Sequence, residues 1–354
     1  MTLYSRLRPL AFRLPPETAH LVGKRLLRAG QSTWPTRSLL QSTFQVRHPA
    51  LEVDLFGTRF PNPVGVAAGF DKNAECTHAL SALGFGFVEI GTVTPYPQTG
   101  NDRPRLFRLR EDEAMINRMG FNGDGMESVK ARLERDGTPP VPLGINIGKM
   151  NVSTEREAIE DYRRVFTRLS PFADYVVVNV SCPNTPEKFD ESSPEHLEAI
   201  FETLGAENER DVPILIKIGP DSPPDSVRDL LEIVEEHGVD GIVATNTTTA
   251  RDGLESPHRE EWGGMSGAPL EEPSTDIVGL LATESDLPII GVGGVDSAAS
   301  AYRKIRAGAS LVQLYTGFVY NGPATALEIN RGLLELLEQD GFSSVEEAVG
   351  VGLE

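Results

Sequence analysis

The chain has 354 residues and a mass of 38.5 kDa, and its 39% hydrophobic and 24% charged residues support a packed core and exclude wholesale disorder. No apolar run approaches the ~18 residues of a membrane span. Two cysteines, Cys76 and Cys182, are too few for a disulfide framework or a Cys-based zinc site. The net charge of −19 is unevenly spread: residues 1–50 carry eight Lys or Arg against one acid, Glu17, while the remainder is strongly acidic. That body would repel phosphate chains, so nucleic acid is excluded as its partner.

In chain order, Arg6, Arg8 and Arg13 break every early apolar stretch, so the start does not read as a secretory signal. The first fifty residues hold no strand-like run. Leu3, Leu7 and Leu10, then Ala19, Val22, Leu26 and Leu27, recur at helical spacing and predict two short amphipathic helices with basic outer faces.

Beyond them, eight short β-branched runs each end in a polar or glycine cluster: Pro63–Ala67, Phe87–Ile90, Leu143–Ile147, Tyr175–Val180, Ile214–Ile218, Gly241–Ala244, Pro288–Val292 and Leu311–Tyr315. Helical spacing between them predicts helices such as Thr77–Leu83, Glu155–Leu169, Pro194–Leu204, Ser226–His237, Ala298–Ala307 and Ala324–Leu337. Strand–helix alternation implies parallel pairing, and near-continuous apolar strands imply burial on both faces. The expected fold is an α/β (β/α)8 TIM barrel over roughly 60–340 with a small N-terminal helical extension; a doubly wound sheet is the structural alternative. Two wide gaps, about 92–140 and 246–286, read as long loops over the active face. Residues 341–354 read as a loose acidic tail.

Active sites of barrels lie at the C-terminal ends of the strands. There the sequence places Ala68–Lys72, Gly91-Thr92, Asn146 with Gly148-Lys149, Asn179–Asn184, Lys217, Thr245–Thr247, Gly293-Gly294 and Tyr315–Gly317. Gly291–Gly294 and Tyr315–Gly317 suit an anion held by backbone N–H groups. Gly144–Lys149 is one spacer short of a Walker loop, and no GxGxxG follows a strand, so a mononucleotide or sugar phosphate is favoured over ATP or a Rossmann-bound dinucleotide. The six histidines are scattered without metal-ligand spacing; His20 stands apart within the N-terminal pair. Cys182 follows the fourth strand, where a modest shift from a thiol pKa of ~8.5 would give a base or nucleophile near neutrality. Lys72 and Lys217, two of only seven lysines, also end strands. Either could stabilise developing negative charge, and a Schiff-base lysine is the competing role for Lys217.

Over about residues 1–340 the chain resembles class 2 dihydroorotate dehydrogenase, the quinone-dependent flavoenzyme of pyrimidine synthesis. The resemblance rests on Ala67–Lys72 (AAGFDK), Glu89–Pro95 (EIGTVTP), Asn117–Phe121 (NRMGF), Gly144–Lys149 (GINIGK), Asn179–Asn184 (NVSCPN), Ala244–Thr248 (ATNTT), Gly291–Gly294 (GVGG) and Leu314–Gly317 (LYTG). It implies that FMN is held by Ala68, Gly69, Phe70, Asp71, Lys72, Thr92, Asn146, Asn179, Lys217, Thr245, Gly267, Gly294, Tyr315 and Thr316. It implies that dihydroorotate or orotate is held by Lys72, Asn117, Arg118, Met119, Gly120, Phe121, Asn179, Asn184, Asn246 and Thr247, with no metal. The family's catalytic base falls on Cys182, where class 2 members usually have Ser and class 1 enzymes Cys. The N-terminal extension, absent from class 1, places the chain with class 2.

On that resemblance residues 1–50 are a membrane and quinone-access segment, 51–340 the FMN-binding barrel and 341–354 a tail. The enzyme would sit peripherally on the cytoplasmic side of the cell membrane, touching anionic lipid. The runner-up is a class 1-type enzyme using fumarate or NAD, and outside flavin barrels a Schiff-base aldolase-type lyase.

The acidic, lysine-poor composition suits a salty cytoplasm that screens self-repulsion. The expected outcome is a melting temperature that rises from low to molar KCl; an unchanged one contradicts this.

Overall fold

The eight apolar runs form the eight parallel strands of a closed barrel in a computed structural model that describes residues 3–184 and 189–353. Around the ring they follow chain order: Val64–Val66, Phe87–Val93, Leu143–Ile147, Tyr175–Asn179, Ile214–Ile218, Gly241–Ala244, Ile289–Val292 and Leu311–Leu314, which pairs back to the first. The strands lack polar alternation because helices cover them outside and side chains fill them inside; Tyr175–Val178 is wholly buried. The helix Glu155–Leu169 shows how the layer outside forms. A capping box of Thr154 and Glu157 starts it, and Ala158, Tyr162, Val165, Phe166 and Leu169 repeat on its buried face.

At the N-terminal end a hairpin, Val53–Leu55 with Thr58–Phe60, turns through Phe56 and Gly57, both at positive φ. The Phe56 ring lies 6.0 Å from that of Tyr175 and closes the barrel floor.

The two wide gaps are not plain loops. They contribute Leu106–Leu109, Ala114–Asn117 and Gly264–Gly267 to a three-stranded antiparallel sheet over the mouth. These strands are four residues long, and Gly264 and Gly267 begin and end the third, which arrives from far downstream. Neither length nor composition marks them as strands. The same gaps supply the helices Met126–Asp136 and Glu271–Glu284.

The acidic tail is not loose. Val345 and Ala348 are fully buried, Val345 N–H donates to Ala50 O at 2.8 Å, and Gly350 N–H to Ile305 O at 3.2 Å. A few apolar residues dock a segment whose charge suggested solvation.

The N-terminal extension has three helices rather than two: Leu3–Ala11, Pro16–Gln31 and Trp34–Phe44. The third was hidden because its apolar residues make no clean stripe, yet Thr33 caps it and Leu40 and Phe44 pack on the core. All three are fastened to the barrel. Tyr4 Oη donates to Val319 O at 2.6 Å, Arg105 pairs with Glu17 at 2.8 Å, and Arg108 stacks on Phe12 at 4.5 Å. Lys24 reaches into the turn after the first barrel strand, bonding Glu75 and lying 3.4 Å from the fully buried Asp71 carboxylate. No helix among the described residues is long and apolar enough to cross a membrane.

Removing one partner of a buried ion pair strands the other charge, at a cost of about 3–5 kcal/mol. Lys24→Met is therefore expected to lower thermal stability by about that amount. Unfolding at the wild-type temperature would show that Asp71 does not depend on Lys24.

Candidate active site

The C-terminal strand ends open into one cavity. Ala67–Phe70 and Lys72 follow the first strand, Thr92 lies in the second, and Asn179 and Cys182 close the fourth. Lys217 lies in the fifth, Thr245–Thr247 follow the sixth, Val292–Asp296 the seventh and Leu314–Gly317 the eighth. The three-stranded sheet covers this space with Asn117, Ser266 and Gly267.

Strand ends around the mouth are bonded side chain to side chain. Asn179 Nδ2 donates to Thr92 Oγ1 at 2.9 Å, and Thr92 Oγ1 donates to Asn146 Oδ1 at 2.6 Å. Beneath them Asn146 Nδ2 donates to Glu89 Oε1 at 3.0 Å, and Gln313 Nε2 to Glu89 Oε2 at 2.6 Å. The Glu89 carboxylate is thus buried inside the barrel but hydrogen-bonded, as burial requires. Above, Asn246 Nδ2 donates to Asn179 Oδ1 at 3.2 Å. A second set joins the loop after the fourth strand to the covering sheet: Asn184 Nδ2 donates to Asn117 Oδ1 at 3.0 Å, and Gly264 N–H to Asn184 Oδ1 at 2.9 Å. Asparagine recurs because one amide both donates and accepts between strands.

Burial governs the ionisable groups. It pushes Lys72 down to about 8, while its Nζ donates to Asn122 Oδ1 at 2.7 Å. It lowers Lys217 too, against the opposing pull of Glu89 and Cys182. The Cys182 thiol is pushed up to about 11 by burial, which outweighs the Asn184 backbone hydrogen bond and the Lys72 charge that favour the thiolate. This corrects the expectation of a base poised near neutrality. Cys182 is half-buried in the loop that Pro183 and Asn184 turn, and it faces the cavity, where its surroundings still desolvate the thiol.

Glycines strip the cavity wall near the last two strands. Gly293 and Gly294 have φ of +121° and +69°; a Cβ would lie 2.6 Å from Ser274 Oγ at the first and 2.3 Å from Glu271 Cα at the second. Bare backbone of this kind suits close approach of an anion.

Of the residues that the resemblance assigns to flavin, substrate and base, the fold brings all to this cavity except three. Asp71 turns away, accepting from Glu75 N–H at 2.9 Å and Cys76 N–H at 2.7 Å. Asn146 lies beneath the wall and acts through Thr92 and Asn179. Arg118 points outward, 2.7 Å from Glu261 and stacked on Phe107 and Trp262. Sequence reasoning missed the wall supplied by the second N-terminal helix, from Glu17, Leu21 and Lys24, and noticed only His20. The His20 ring lies edge-on to Phe70 at 5.1 Å and Tyr315 at 6.1 Å, and burial pushes it down to about 4, so it is neutral.

A family profile described as "Dihydroorotate dehydrogenase" matches residues 50–337. Along its whole length the chain is 53% identical to "Dihydroorotate dehydrogenase (quinone)" of Natronomonas pharaonis, also covered in full. It is 51% identical over 352 residues to the protein of the same description from Halobacterium salinarum, covering 99% of this chain and 100% of that one. A solved structure of DHODH from Eimeria tenella in complex with ferulenol superposes with a TM-score of 0.88 at 35% identity, covering 97% of this chain and 98% of that one. The chain belongs to the dihydroorotate dehydrogenase family.

Proposed function

We propose that the chain oxidises dihydroorotate to orotate with FMN at the barrel mouth, Cys182 serving as base, and passes the electrons to a membrane quinone that enters between the N-terminal helices. One observation carries this reading: a single cavity runs from Cys182 and the asparagine cluster to His20 and Leu21 of the second helix. A class 1-type enzyme has no use for that second wall. A relative named as a quinone enzyme matches the chain over its whole length, first residues included.

The residues present fit FMN. The Gly293–Gly294 turn, where any Cβ would collide with helix Glu271–Glu284, offers bare backbone to the phosphate together with Tyr315 and Thr316. Ala68–Phe70, Thr92, Asn179, Lys217, Thr245 and Gly267 face the same cavity and would hold the ring and ribityl chain. When bound, FMN accepts the hydride leaving C6 of dihydroorotate.

Asn117, Asn179, Asn184 and Asn246 present amide edges to a planar, amide-rich substrate and fix its orientation. Lys72 places a cation for the substrate carboxylate, whose charge would restore the proton affinity that burial removes. Cys182 Sγ takes the C5 proton. Because burial holds the thiol protonated at neutrality, only a small thiolate fraction acts there, and it grows about tenfold per pH unit up to about 11. Lys217, with Glu89 beneath it, would meet the negative charge that builds up in the ring.

The outer face of the helices suits a lipid surface. Eight of the twelve exposed large hydrophobics among the described residues lie between Leu7 and Leu39, including Leu10, Leu26, Trp34 and Leu39. The same helices and the turn between the first two also expose Arg6, Arg13, Arg25 and Arg28. Exposed apolar residues together with exposed arginines suit a seat on anionic headgroups without spanning the bilayer.

At saturating dihydroorotate, the flavin-reduction rate measured by stopped flow should climb through pH 7–9, by up to about tenfold per unit. Cys182→Ala should lower it ~10²–10⁴-fold while FMN and orotate still bind, and Cys182→Ser should retain activity shifted to still higher pH. Wild-type rates in Cys182→Ala would identify another group as base. The triple variant Leu10→Glu, Leu26→Glu, Leu39→Glu should reduce its flavin normally, fail to cosediment with anionic vesicles, and lose about tenfold or more in reoxidation by a long-tailed quinone in those vesicles. Unimpaired cosedimentation would place the membrane face elsewhere.

A further inference from the structure

Lys304 is fully buried, although it lies on the last turn of the helix Ala298–Arg306 on the outside of the barrel. Its stem crosses the seventh strand where Gly291 leaves room; a Cβ there would lie 2.6 Å from Lys304 Cδ. Its Nζ ends between two hydroxyls, 2.6 Å from Ser274 Oγ and 2.8 Å from Thr275 Oγ1. Among the described residues no carboxylate lies within ion-pair distance of it, and the adjacent Glu271 is engaged by Arg303. Glu271 and Asp276 supply only longer-range opposing charge, and burial pushes the ammonium down to about 7. A buried cation held by neutral hydroxyls is costly, and the longer-range charges of Glu271 and Asp276 offset burial only in part.

The hydroxyls connect it to the cavity. Ser274 Oγ, accepting from Lys304, directs its own proton to Gly293 O or Glu271 O, each 3.1 Å away. Gly293 and Gly294 form the bare turn facing the cavity, and the first turn of Glu271–Glu284, which carries Ser274, packs directly behind them. The cation, without an ion-pair partner, thus sits behind the Gly293–Gly294 stretch of the wall, whose bare backbone suits an anion.

We propose that Lys304 is a positioning residue for the flavin phosphate: from behind the Gly293–Gly294 turn it supplies, through Ser274, the positive charge and the hydrogen-bond relay that hold the turn ready for a dianion. This rests on the FMN reading above. The missing counter-charge of Lys304 is then the ligand's phosphate, acting across the turn without touching the ammonium. The reacting end of the flavin is untouched by this arrangement, so the effect belongs to cofactor retention rather than to hydride transfer.

The test compares flavins with and without the phosphate. Holoenzyme carrying Lys304→Met, and separately Ser274→Ala, is exchanged into FMN or riboflavin, diluted, and followed by the return of flavin fluorescence as the ligand leaves. Lys304→Met should weaken FMN about tenfold or more and riboflavin less than about twofold, with Ser274→Ala showing the same selectivity at smaller size. Equal weakening of both flavins, or of neither, overturns the proposal in favour of a purely structural lysine. If Lys304→Met does not fold, the selectivity of Ser274→Ala alone decides it by the same criterion. Wild-type protein that binds neither flavin overturns the FMN reading itself, an outcome distinct from two bound flavins that the variants fail to distinguish.

Discussion

The mouth of the barrel depends on the carboxylate of Asp71. It is wholly buried, accepts the backbone N–H groups of Glu75 and Cys76, and faces Lys24 of the second N-terminal helix. Those bonds bend the chain after the first strand so that Ala68–Phe70 and Lys72 line the cavity. The same carboxylate fastens the helix that closes the cavity's far side. A charge buried at this junction therefore joins two walls of one site, and opening the pair would leave the Asp71 carboxylate buried without its nearest cation.

That junction also sets the electrostatics. With the helices docked, Lys72, Lys217, Cys182 and His20 line one cavity, and desolvation is the leading influence on each. It drives all four toward their neutral forms. The charged forms recover where a partner arrives, whether a substrate carboxylate beside Lys72 or charge on a ring beside Lys217. Desolvation carries a cost in resting thiolate at Cys182, and in return each charge formed during reaction is felt strongly by its neighbours.

The polar groups that remain are handled by amides. Asn146, Asn179 and Asn246 bridge strand ends with neutral side chains, so the floor of the cavity is fixed in geometry without adding charge. Glu89 is the exception inside the barrel, and it is tolerated because Asn146 and Gln313 donate to both its oxygens, with Tyr175 nearby. The outer face of the helices follows the opposite logic, leaving Leu10, Leu26 and Trp34 exposed where a soluble surface would carry polar groups.

By itself the sequence determined the barrel, its strand order and most of the cavity wall. Both faces of every strand are buried, so each strand is an unbroken apolar run whose C-terminal end must carry the chemistry. Local signals sufficed there because strand, turn and functional residue lie within a few positions of one another. Only the tertiary structure decided the rest. The strand Gly264–Gly267 exists because Ala114–Asn117 lies beside it, the tail docks because Val345 and Ala348 find apolar neighbours, and His20 and Lys24 reach the cavity because Asp71 draws their helix in. Arg118, adjacent in sequence to Asn117, points the other way for want of such a partner inside. The direction of the Cys182 shift was equally out of reach, since residue spacing shows which groups meet but not how much water stays between them.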